Sequence, residues 1–341
     1  MKTLIDIKSR EPIYKQLLAY IEREVRDGRL AAGTMLPSMN ELAARLGISR
    51  ETVKKAYGIL TTKGIIIPKQ GKGFYVADLS ADARPDILLL FDKFSDYKQI
   101  LFNSIAQNLG GNAKLTILVH NQSVDLLEYF LDTYLGQFDY YVLTPHFPLD
   151  EKSQARALKQ ISRIPNRKLL LLDHLQPGLS GNFSAVYQDF ENDIFDGLMQ
   201  GLPTLKRVPM MRVITLPQSL YGPFVQKGVK RFTDTFSIPV EFMTTIPDEI
   251  HKGETFLLLN SQWDTALVQL SQKILTSGLR LGEDVHIISY NDVDLNELVL
   301  GGLTTVSTDF REMGRLAAEI ILSRQPKKIH CPFRMNRRNT F

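Results

Sequence analysis

The stretch "LPSMNELAARLGISRETVKKAY", residues 36–57, predicts two short helices joined by a tight turn. Ser38 and Glu41 have the spacing of a capping box, which favours a helix start, and Gly47 is a typical helix stop. Ser49 can cap the second helix. The apolar residues of that helix recur at helical spacing and predict its buried face: Val53, Ala56, Tyr57 and Leu60. The basic residues near its start therefore face outward.

The sequence on both sides of this helix pair completes a larger predicted unit. A preceding helix begins near Pro12 and ends near Gly28, with apolar residues at every fourth position: Ile13, Leu17, Ile21 and Val25. Downstream, "IIIP" (65–68) and "GFYV" (73–76) predict paired strands whose tip is "KQGKG" (69–73). The two glycines in the tip permit the backbone angles of a tight turn. These elements together predict a winged helix-turn-helix domain.

Charge is distributed unevenly along the 341 residues. Residues 1–78 hold 14 Lys or Arg and 8 Asp or Glu, a net charge of +6, whereas the whole chain carries +4. A basic head is suited to a polyanion. The major groove of double-stranded DNA admits one α-helix, so the start of the second helix could meet base edges there. The glycines of the ribbon would let its backbone approach phosphates. The head therefore predicts DNA binding.

Several runs in the head have fixed spacings, including Leu36-Pro37-Ser38, Ser49-Arg50, Thr52-Val53, Gly71-Lys72-Gly73 and Tyr75-Val76. Over about the first quarter of the chain they closely resemble the DNA-binding domain of the GntR family. The resemblance implies base or phosphate contacts from the two helix starts and from the wing. At Asn40 many members of that family carry Arg. The predicted DNA-binding residues are Ser38, Asn40, Ser49, Arg50, Thr52, Lys54, Lys69, Gln70, Gly71, Lys72 and Gly73.

The segment "ADLSADARP" (77–85) is small, polar and ends in proline, which predicts a linker at 79–85 between a head at 1–78 and a body at 86–341. In the body, apolar runs alternate with helical patterns. Examples of these runs are "DILLLF" from residue 86, "KLTILVH" from 114, "KLLLLDH" from 168 and "VHIISYN" from 285. This alternation predicts parallel sheets covered on both faces, and the number of strands favours two doubly wound lobes. Ligands of such folds bind at the carboxyl ends of strands, here in a cleft between the lobes.

The C-terminal third contains three further motifs: "SGLRLGEDVHIISYND" (277–292), "LTTVSTDFREMGRLAAEIIL" (303–322) and "FRMNRRNTF" (333–341). They are similar to the effector domain of the LacI/GalR repressors, which is itself similar to periplasmic sugar-binding proteins. The resemblance covers residues 263–340 strongly and 86–247 only through the order of the strands. It implies a two-lobed α/β fold of the periplasmic-binding-protein type, with cores that form a homodimer.

Candidate effector contacts follow from this resemblance and from strand ends. By position, Trp263, Asp264, Asn291 and Asp189 are predicted to contact the effector. Trp263 is the single tryptophan, and its indole could stack on the apolar face of a sugar. Core packing of Trp263 and loop capping by Asp189 and Asn291 are open alternatives. Four further polar residues follow apolar strands and are predicted cleft contacts: Asp96, His120, His146 and Asp173. Val225 stands where the family often has Arg, which keeps a non-sugar effector open.

Several classes of site are not predicted. The six histidines have no tight ligand spacing, so no metal site is expected. The longest apolar runs are far shorter than the roughly 18 residues that a membrane span needs. The N-terminus lacks the apolar core of a signal peptide. The sequence predicts a cytoplasmic protein with no cofactor and no membrane contact.

The predicted function is a DNA-binding transcription regulator, a repressor of a carbohydrate-utilisation operon. It would bind double-stranded operator DNA as a homodimer and a monosaccharide effector in the cleft. An effector that is a nucleoside, a phosphate ester or an amino acid remains an alternative. A DNA-binding head fused to an enzyme is disfavoured, because the sequence contains neither a G-x-S-x-G elbow nor the lysine pattern of a pyridoxal-phosphate aminotransferase.

Overall fold

The computed structural model describes residues 6, 9, 11–69, 71–77, 84–215, 219–259 and 265–341. Contacts divide the chain into two units, Met1–Arg84 (the head) and Pro85–Phe341 (the body). The division falls at the end of the predicted linker, of which residues 79–83 lie outside the described residues.

The head contains three helices and a two-stranded ribbon. These are α1 (Ile13–Arg26), α2 (Met39–Leu46), α3 (Arg50–Thr62), β1 (Ile66–Lys69) and β2 (Gly73–Val76). The predicted capping box starts α2, because Ser38 N donates to Glu41 Oε2 (2.8 Å) and Glu41 N donates to Ser38 Oγ (3.2 Å). Tyr57 of α3 is fully buried, and its hydroxyl donates to Pro37 O (2.8 Å), which fixes α3 against the segment before α2.

The first lobe of the body starts with strands and helices in alternation. They are β3 (Asp86–Phe91), α4 (Asp96–Leu109), β4 (Lys114–Val119), α5 (Val124–Tyr134), β5 (Tyr140–Leu143), α6 (Glu151–Ile161), β6 (Leu169–Asp173) and β7 (Ser184–Tyr187). The strands are nearly continuous apolar runs because helices cover both faces of their sheet.

The second lobe follows and then returns the chain to the first. Its elements are α7 (Phe190–Met199), α8 (Leu202–Leu205), β8 (Met211–Ile214), α9 (Gly222–Phe236), β9 (Val240–Met243), β10 (Thr255–Leu258), α10 (Thr265–Ser277), β11 (His286–Tyr290) and β12 (Thr304–Thr308). Helix α11 (Phe310–Ser323) and strand β13 (Lys328–His330) belong to the first lobe, and β14 (Phe333–Asn336) to the second.

Each lobe is built on one six-stranded sheet. The first has the order β13-β7-β6-β5-β3-β4 and is parallel throughout, and the second has the order β14-β12-β11-β10-β8-β9, with only β14 antiparallel. In the described chain three segments connect the lobes: those between β7 and α7, between β12 and α11, and between β13 and β14. The predicted two-lobed fold is confirmed. Strands β9, β12, β13 and β14 were not among the predicted strands.

Helices α7 and α9 pack closely because a glycine lies where they meet. A Cβ added at Gly228 of α9 would collide with the carbonyl oxygen of Glu191 and with the side chain of Ile194, both on α7. Helix backbones can approach this closely only where one of them lacks a side chain.

We expect Gly228→Ala to lower the free energy of unfolding of the body by about 1–3 kcal/mol, because α7 must move to admit the methyl group. Calorimetric unfolding of the full chain measures this change. Gly111→Ala is the matched control, since no other atom lies within 4 Å of the Cβ position at Gly111. Equal stability of the two variants would contradict the close approach of α7 and α9.

Candidate functional site

The first candidate surface is the N-terminal end of α3 in the head. Ser49 caps the helix by accepting a hydrogen bond from Thr52 N (3.1 Å), and its hydroxyl lies 2.8 Å from Thr52 Oγ1. Arg50 and Lys54 follow on the exposed side of the helix, and Lys54 Nζ lies 3.7 Å from Glu51 Oε2. The helix start therefore presents a guanidinium and an ammonium group to the solvent at the positive end of the helix dipole, an arrangement that suits an anion.

The wing supplies a second cationic surface. In the ribbon Lys69 pairs with Gly73, and Gly71 (φ 70°) and Gly73 (φ 99°) adopt the left-handed backbone that glycine tolerates. Lys69 Nζ lies 4.5 Å from the centre of the Tyr75 ring, and Lys72 is exposed at the tip. The remaining predicted DNA-binding residues are Ser38 and Asn40, which are exposed at the start of α2, and Gln70, which lies outside the described residues.

The second candidate site is at the carboxyl ends of the strands of the body, where a lysine is buried between two carboxylates. Lys98 Nζ lies 2.5 Å from Asp173 Oδ2 and 3.1 Å from Asp92 Oδ1, and all three side chains are at most 2% exposed. Burial by itself disfavours both ionised forms, but the pairing outweighs it. Burial acts to raise the pKa of Asp92, whereas Lys98 pulls it down, to about 2 overall. The two aspartates hold the pKa of Lys98 above its usual range against the effect of burial.

Asp173 also links the first lobe to the second. Its Oδ1 accepts a hydrogen bond from Gln188 Nε2, and Gln188 Oε1 accepts one from Thr308 Oγ1 (2.7 Å). Gln188 lies in the first connection between the lobes and Thr308 at the end of β12, so this chain of bonds crosses between the lobes. On the cleft side, His146 Nε2 lies 3.0 Å from Asp173 Oδ2. The carboxylate of Asp173 therefore joins Lys98, His146 and two of the connecting segments.

His120 extends this polar cluster at the end of β4. Its Nε2 lies 3.1 Å from Thr144 O, and its ring stacks on Phe147 with centroids 4.7 Å apart. Burial lowers the pKa of His120 to about 4, so its imidazole is neutral near pH 7. Thr144 connects this ring to the aspartate cluster, since its hydroxyl donates to Asp92 Oδ1 (2.9 Å).

Aromatic residues form the side of the cleft that faces this cluster. The Tyr221 ring of the second lobe lies 4.8 Å from the His146 ring, 4.8 Å from the His174 ring and 4.5 Å, stacked, from the Phe190 ring. A cavity of about 280 Å³ lies beside them. It is lined by His174, Leu175, Tyr187, Gln188, Asp189, Phe190, Glu191 and Phe224. Aromatic faces next to carboxylates suit a ligand with both apolar and hydroxylated faces.

The structure brings some of the predicted effector contacts together and separates others. His120, His146 and Asp173 belong to the buried cluster, and Asp189 lines the cavity while it caps α7 by accepting from Asn192 N (3.3 Å). Asn291 ends β11 with a left-handed backbone (φ 68°) and is partly buried. Asp96 is exposed in the first turn of α4. Trp263 and Asp264 lie outside the described residues.

Several residues of the site were not among the predicted contacts, and they include Asp92, Lys98, Gln188 and Tyr221. Asp92 and Gln188 directly follow the ends of β3 and β7, which is the signal that singled out His120. Lys98 occupies a position on the buried stripe of α4, three residues before Leu101 and seven before Ile105. A lysine at such a position indicates a buried partner of opposite charge.

The described residues include neither a helix suited to a membrane nor a metal-binding cluster. None of their helices combines the length and the apolar character that a membrane crossing requires. No group of three or more His, Cys, Asp or Glu in the described part of the chain is arranged to hold a metal ion.

The head and the body resemble different families of known proteins. Residues 13–76 match the model of the bacterial regulatory proteins of the gntR family, and residues 259–335 match a periplasmic binding protein-like domain. The uncharacterized HTH-type transcriptional regulator YhdI of Bacillus subtilis (strain 168) is 35% identical over 75 residues. These residues are 22% of this chain and only 16% of that protein, so this likeness is confined to the head.

Solved structures resemble the body. The lac repressor dimer bound to operator and the anti-inducer ONPF gives a TM-score of 0.58 at 16% identity, over 77% of this chain and 96% of that one. A LacI family transcriptional regulator from Enterococcus faecium with bound ribose gives a TM-score of 0.56 at 19% identity, over 75% of this chain and 98% of that one. The chain thus joins a GntR-type helix-turn-helix domain to a periplasmic-binding-protein-like domain with the fold of the LacI-type repressors.

Because two histidines of the body are buried, we expect acid to lower the free energy of unfolding of the body. Burial lowers the pKa of both His120 and His174 to about 4, below the value near 6.5 of an unfolded histidine. Their neutral forms therefore stabilise the fold fully above pH 6.5, and this stability is lost as the pH falls from about 6.5 to about 4. Asp193 acts in the opposite direction over part of this window, because burial raises its pKa to about 6.

Because these contributions overlap, the test compares variants. We expect His120→Gln to reduce the pH dependence of the free energy of unfolding by about 1.4 kcal/mol per pH unit within this window, which corresponds to one proton. Calorimetric unfolding of the body between pH 4 and pH 7 measures the slope. The exposed His251 provides the control His251→Gln. An unchanged slope in His120→Gln would show that His120 titrates normally.

Proposed function

We propose that this protein is a DNA-binding transcription regulator, a repressor of a carbohydrate-utilisation operon, whose affinity for DNA is controlled by a small sugar in the cleft of the body. The observation that carries this proposal is the pairing of two candidate binding surfaces in one chain. The head exposes cations around a helix start, and the body places a polar cluster and an aromatic cavity between two lobes.

DNA binding by the head is supported by where its cations lie. Two exposed cations, Arg50 and Lys54, lie at the start of α3. Two others, Lys69 and Lys72, lie on the wing. An α-helix fits the major groove, where Arg can bond the edge of a guanine with two hydrogen bonds. Lysines of the wing would bind phosphates, which adds affinity for any sequence.

Control by a sugar is supported by the cleft and by the bound molecules of the similar structures. The regulator from Enterococcus faecium has ribose bound, and the lac repressor dimer is bound to operator and an anti-inducer. In this chain, the cavity beside Phe190 and Asp189 has aromatic faces and carboxylate oxygens, which are the usual partners of sugar rings and hydroxyls.

The two functions would be coupled through a homodimer. A symmetric dimer presents two recognition helices to successive major grooves about 34 Å apart, so a rotation of the lobes can misplace one of them. An effector that binds one arrangement of the lobes more tightly supplies a coupling free energy of about 1–3 kcal/mol. The bonds from Asp173 through Gln188 to Thr308 support such coupling, because they connect the cleft to the segments between the lobes.

We expect Arg50→Ala to weaken binding to a duplex site by about 1–3 kcal/mol, because a base-edge contact is lost. The site would be selected from a random duplex library with the wild-type protein, and binding measured by fluorescence anisotropy at fixed salt concentration. Arg207→Ala removes the same charge from an exposed position of the body and is expected to bind as the wild type does. Equal affinities of all three proteins would contradict the assignment of α3 as the recognition helix.

We further expect one sugar of a panel of pentoses, hexoses and deoxy sugars to change the affinity for the selected duplex by about 5- to 150-fold. Calorimetry with the protein alone identifies which sugars bind, and anisotropy measures which of them release DNA. Nucleosides, amino acids and sugar phosphates form the comparison group. If only members of that group alter DNA binding, the proposal of a DNA-binding regulator is supported, but the proposal that its effector is a sugar is wrong.

A further inference from the structure

We propose that the cleft selects a ligand that has no anionic group and that donates hydrogen bonds, and that Lys98, Asp92 and His120 determine this selectivity. The inference rests on the proposed function, because it specifies the chemistry of the effector. It excludes phosphate esters and carboxylates and favours neutral sugars.

The first argument is the balance of buried charge. Lys98 is the one buried lysine or arginine among the described residues, and its ammonium group is shared by Asp92 and Asp173. One ammonium against two carboxylates leaves a net charge of −1. An anionic ligand would therefore be buried beside negative charge without a counter-ion, which is unfavourable.

Among the described residues, neither lysine nor arginine lines the cavity beside Asp189 and Phe190. Arg311 and Arg334 line a second cavity, where they pair with Asp294 and Asp309. Burial also lowers the pKa of His174, so that this imidazole is neutral at pH 7. Lys93, which follows β3, is exposed, and its Nζ lies 5.9 Å from the centre of the Tyr97 ring.

The second argument is the polarity of the unpartnered atoms. His120 Nε2 faces the carbonyl oxygen of Thr144 and must carry the proton of the neutral ring, so His120 Nδ1 is an acceptor. Asp92 Oδ1 accepts a hydrogen bond from Thr144 Oγ1 and contacts Lys98. The other carboxylate oxygen, Asp92 Oδ2, is a second acceptor. Neither Nδ1 nor Oδ2 has a hydrogen-bond partner among the described residues, and both atoms are buried.

These two acceptors lie at the carboxyl ends of the neighbouring strands β3 and β4. Thr144 contacts both residues, through its carbonyl oxygen and its hydroxyl group. A third buried acceptor without a partner among the described residues is Oδ1 of Asn291, at the end of β11 in the other lobe. These acceptors favour a ligand group that donates hydrogen bonds, whereas the buried hydroxyls of Ser95 and Tyr221, which also have no partner among the described residues, can donate or accept. Sugar hydroxyls and ammonium groups donate, whereas a phosphate dianion accepts only. A buried acceptor left unpaired weakens binding, so beside these atoms a hydroxyl or ammonium group is favoured over a phosphate group.

The test uses calorimetry on the full chain with matched pairs: ribose and ribose 5-phosphate, glucose and glucose 6-phosphate, and glucosamine. We expect an uncharged sugar or glucosamine to bind at least about tenfold more tightly than the phosphates. Asp92→Asn and His120→Phe should each weaken that binding about tenfold or more, because each removes an acceptor. His120→Gln, which keeps one donor and one acceptor, should restore part of it.

Controls separate selectivity from folding. Asp196→Asn makes the same charge change as Asp92→Asn on the exposed face of α7 and should bind as the wild type does. Thermal unfolding reports whether each variant is folded, and His120→Gln replaces His120→Phe in the comparison if the latter unfolds. Binding that is unaffected in Asp92→Asn would overturn the role of Asp92.

The outcomes also distinguish this inference from the function it rests on. If a sugar phosphate binds more tightly than its neutral partner and alters DNA binding, the inference is overturned and regulation by a small molecule stands. If no member of the panel binds, the inference falls together with control by a sugar. Preference for the neutral sugar, lost in Asp92→Asn and in His120→Phe, supports both.

Discussion

The ammonium group of Lys98 is completely buried, and its pairing with Asp173 and Asp92 constrains the arrangement of both lobes. Moving an unpaired charge out of water costs several kcal/mol, so the carboxylates must remain at the ends of β3 and β6 where they meet it. The same carboxylate of Asp173 accepts from Gln188, which in turn holds Thr308. One buried ion pair is therefore connected through Gln188, in the first segment between the lobes, to the end of β12 in the second lobe.

Head and body use cationic side chains in opposite ways. Arg50, Lys54 and Lys72 remain exposed, so their charge is available to an external polyanion, and its effect is screened by salt. Lys98 is neutralised inside the body and contributes no attraction for anions. One chain with a net charge of only +4 thus combines an exposed cationic surface in the head with a buried, paired lysine in the body.

Much of the fold could be predicted because its signals are local. The capping residues of α2 and α3 and the apolar runs of β3 and β6 follow from neighbouring residues alone. The unpredicted strand β12, "TTVST", is entirely buried although it is rich in hydroxyl groups. The hydroxyls of Thr304 and Thr308 donate to Arg338 O and Gln188 Oε1, which are far away along the chain. Strands β13 and β14 are short and partly exposed at sheet edges, where burial imposes little apolar pattern.

The sequence by itself determined the winged helix-turn-helix head, the alternation of strands and helices, and the edge of the sheets where polar residues collect. These depend on backbone propensity, capping and hydrophobic periodicity, which act over a few residues. Only the tertiary structure decided that Lys98 lies between Asp92 and Asp173 and that Tyr221 packs on His146 from the other lobe. Lys98 and Asp173 are 75 positions apart, and no local pattern specifies which distant groups will share a buried site.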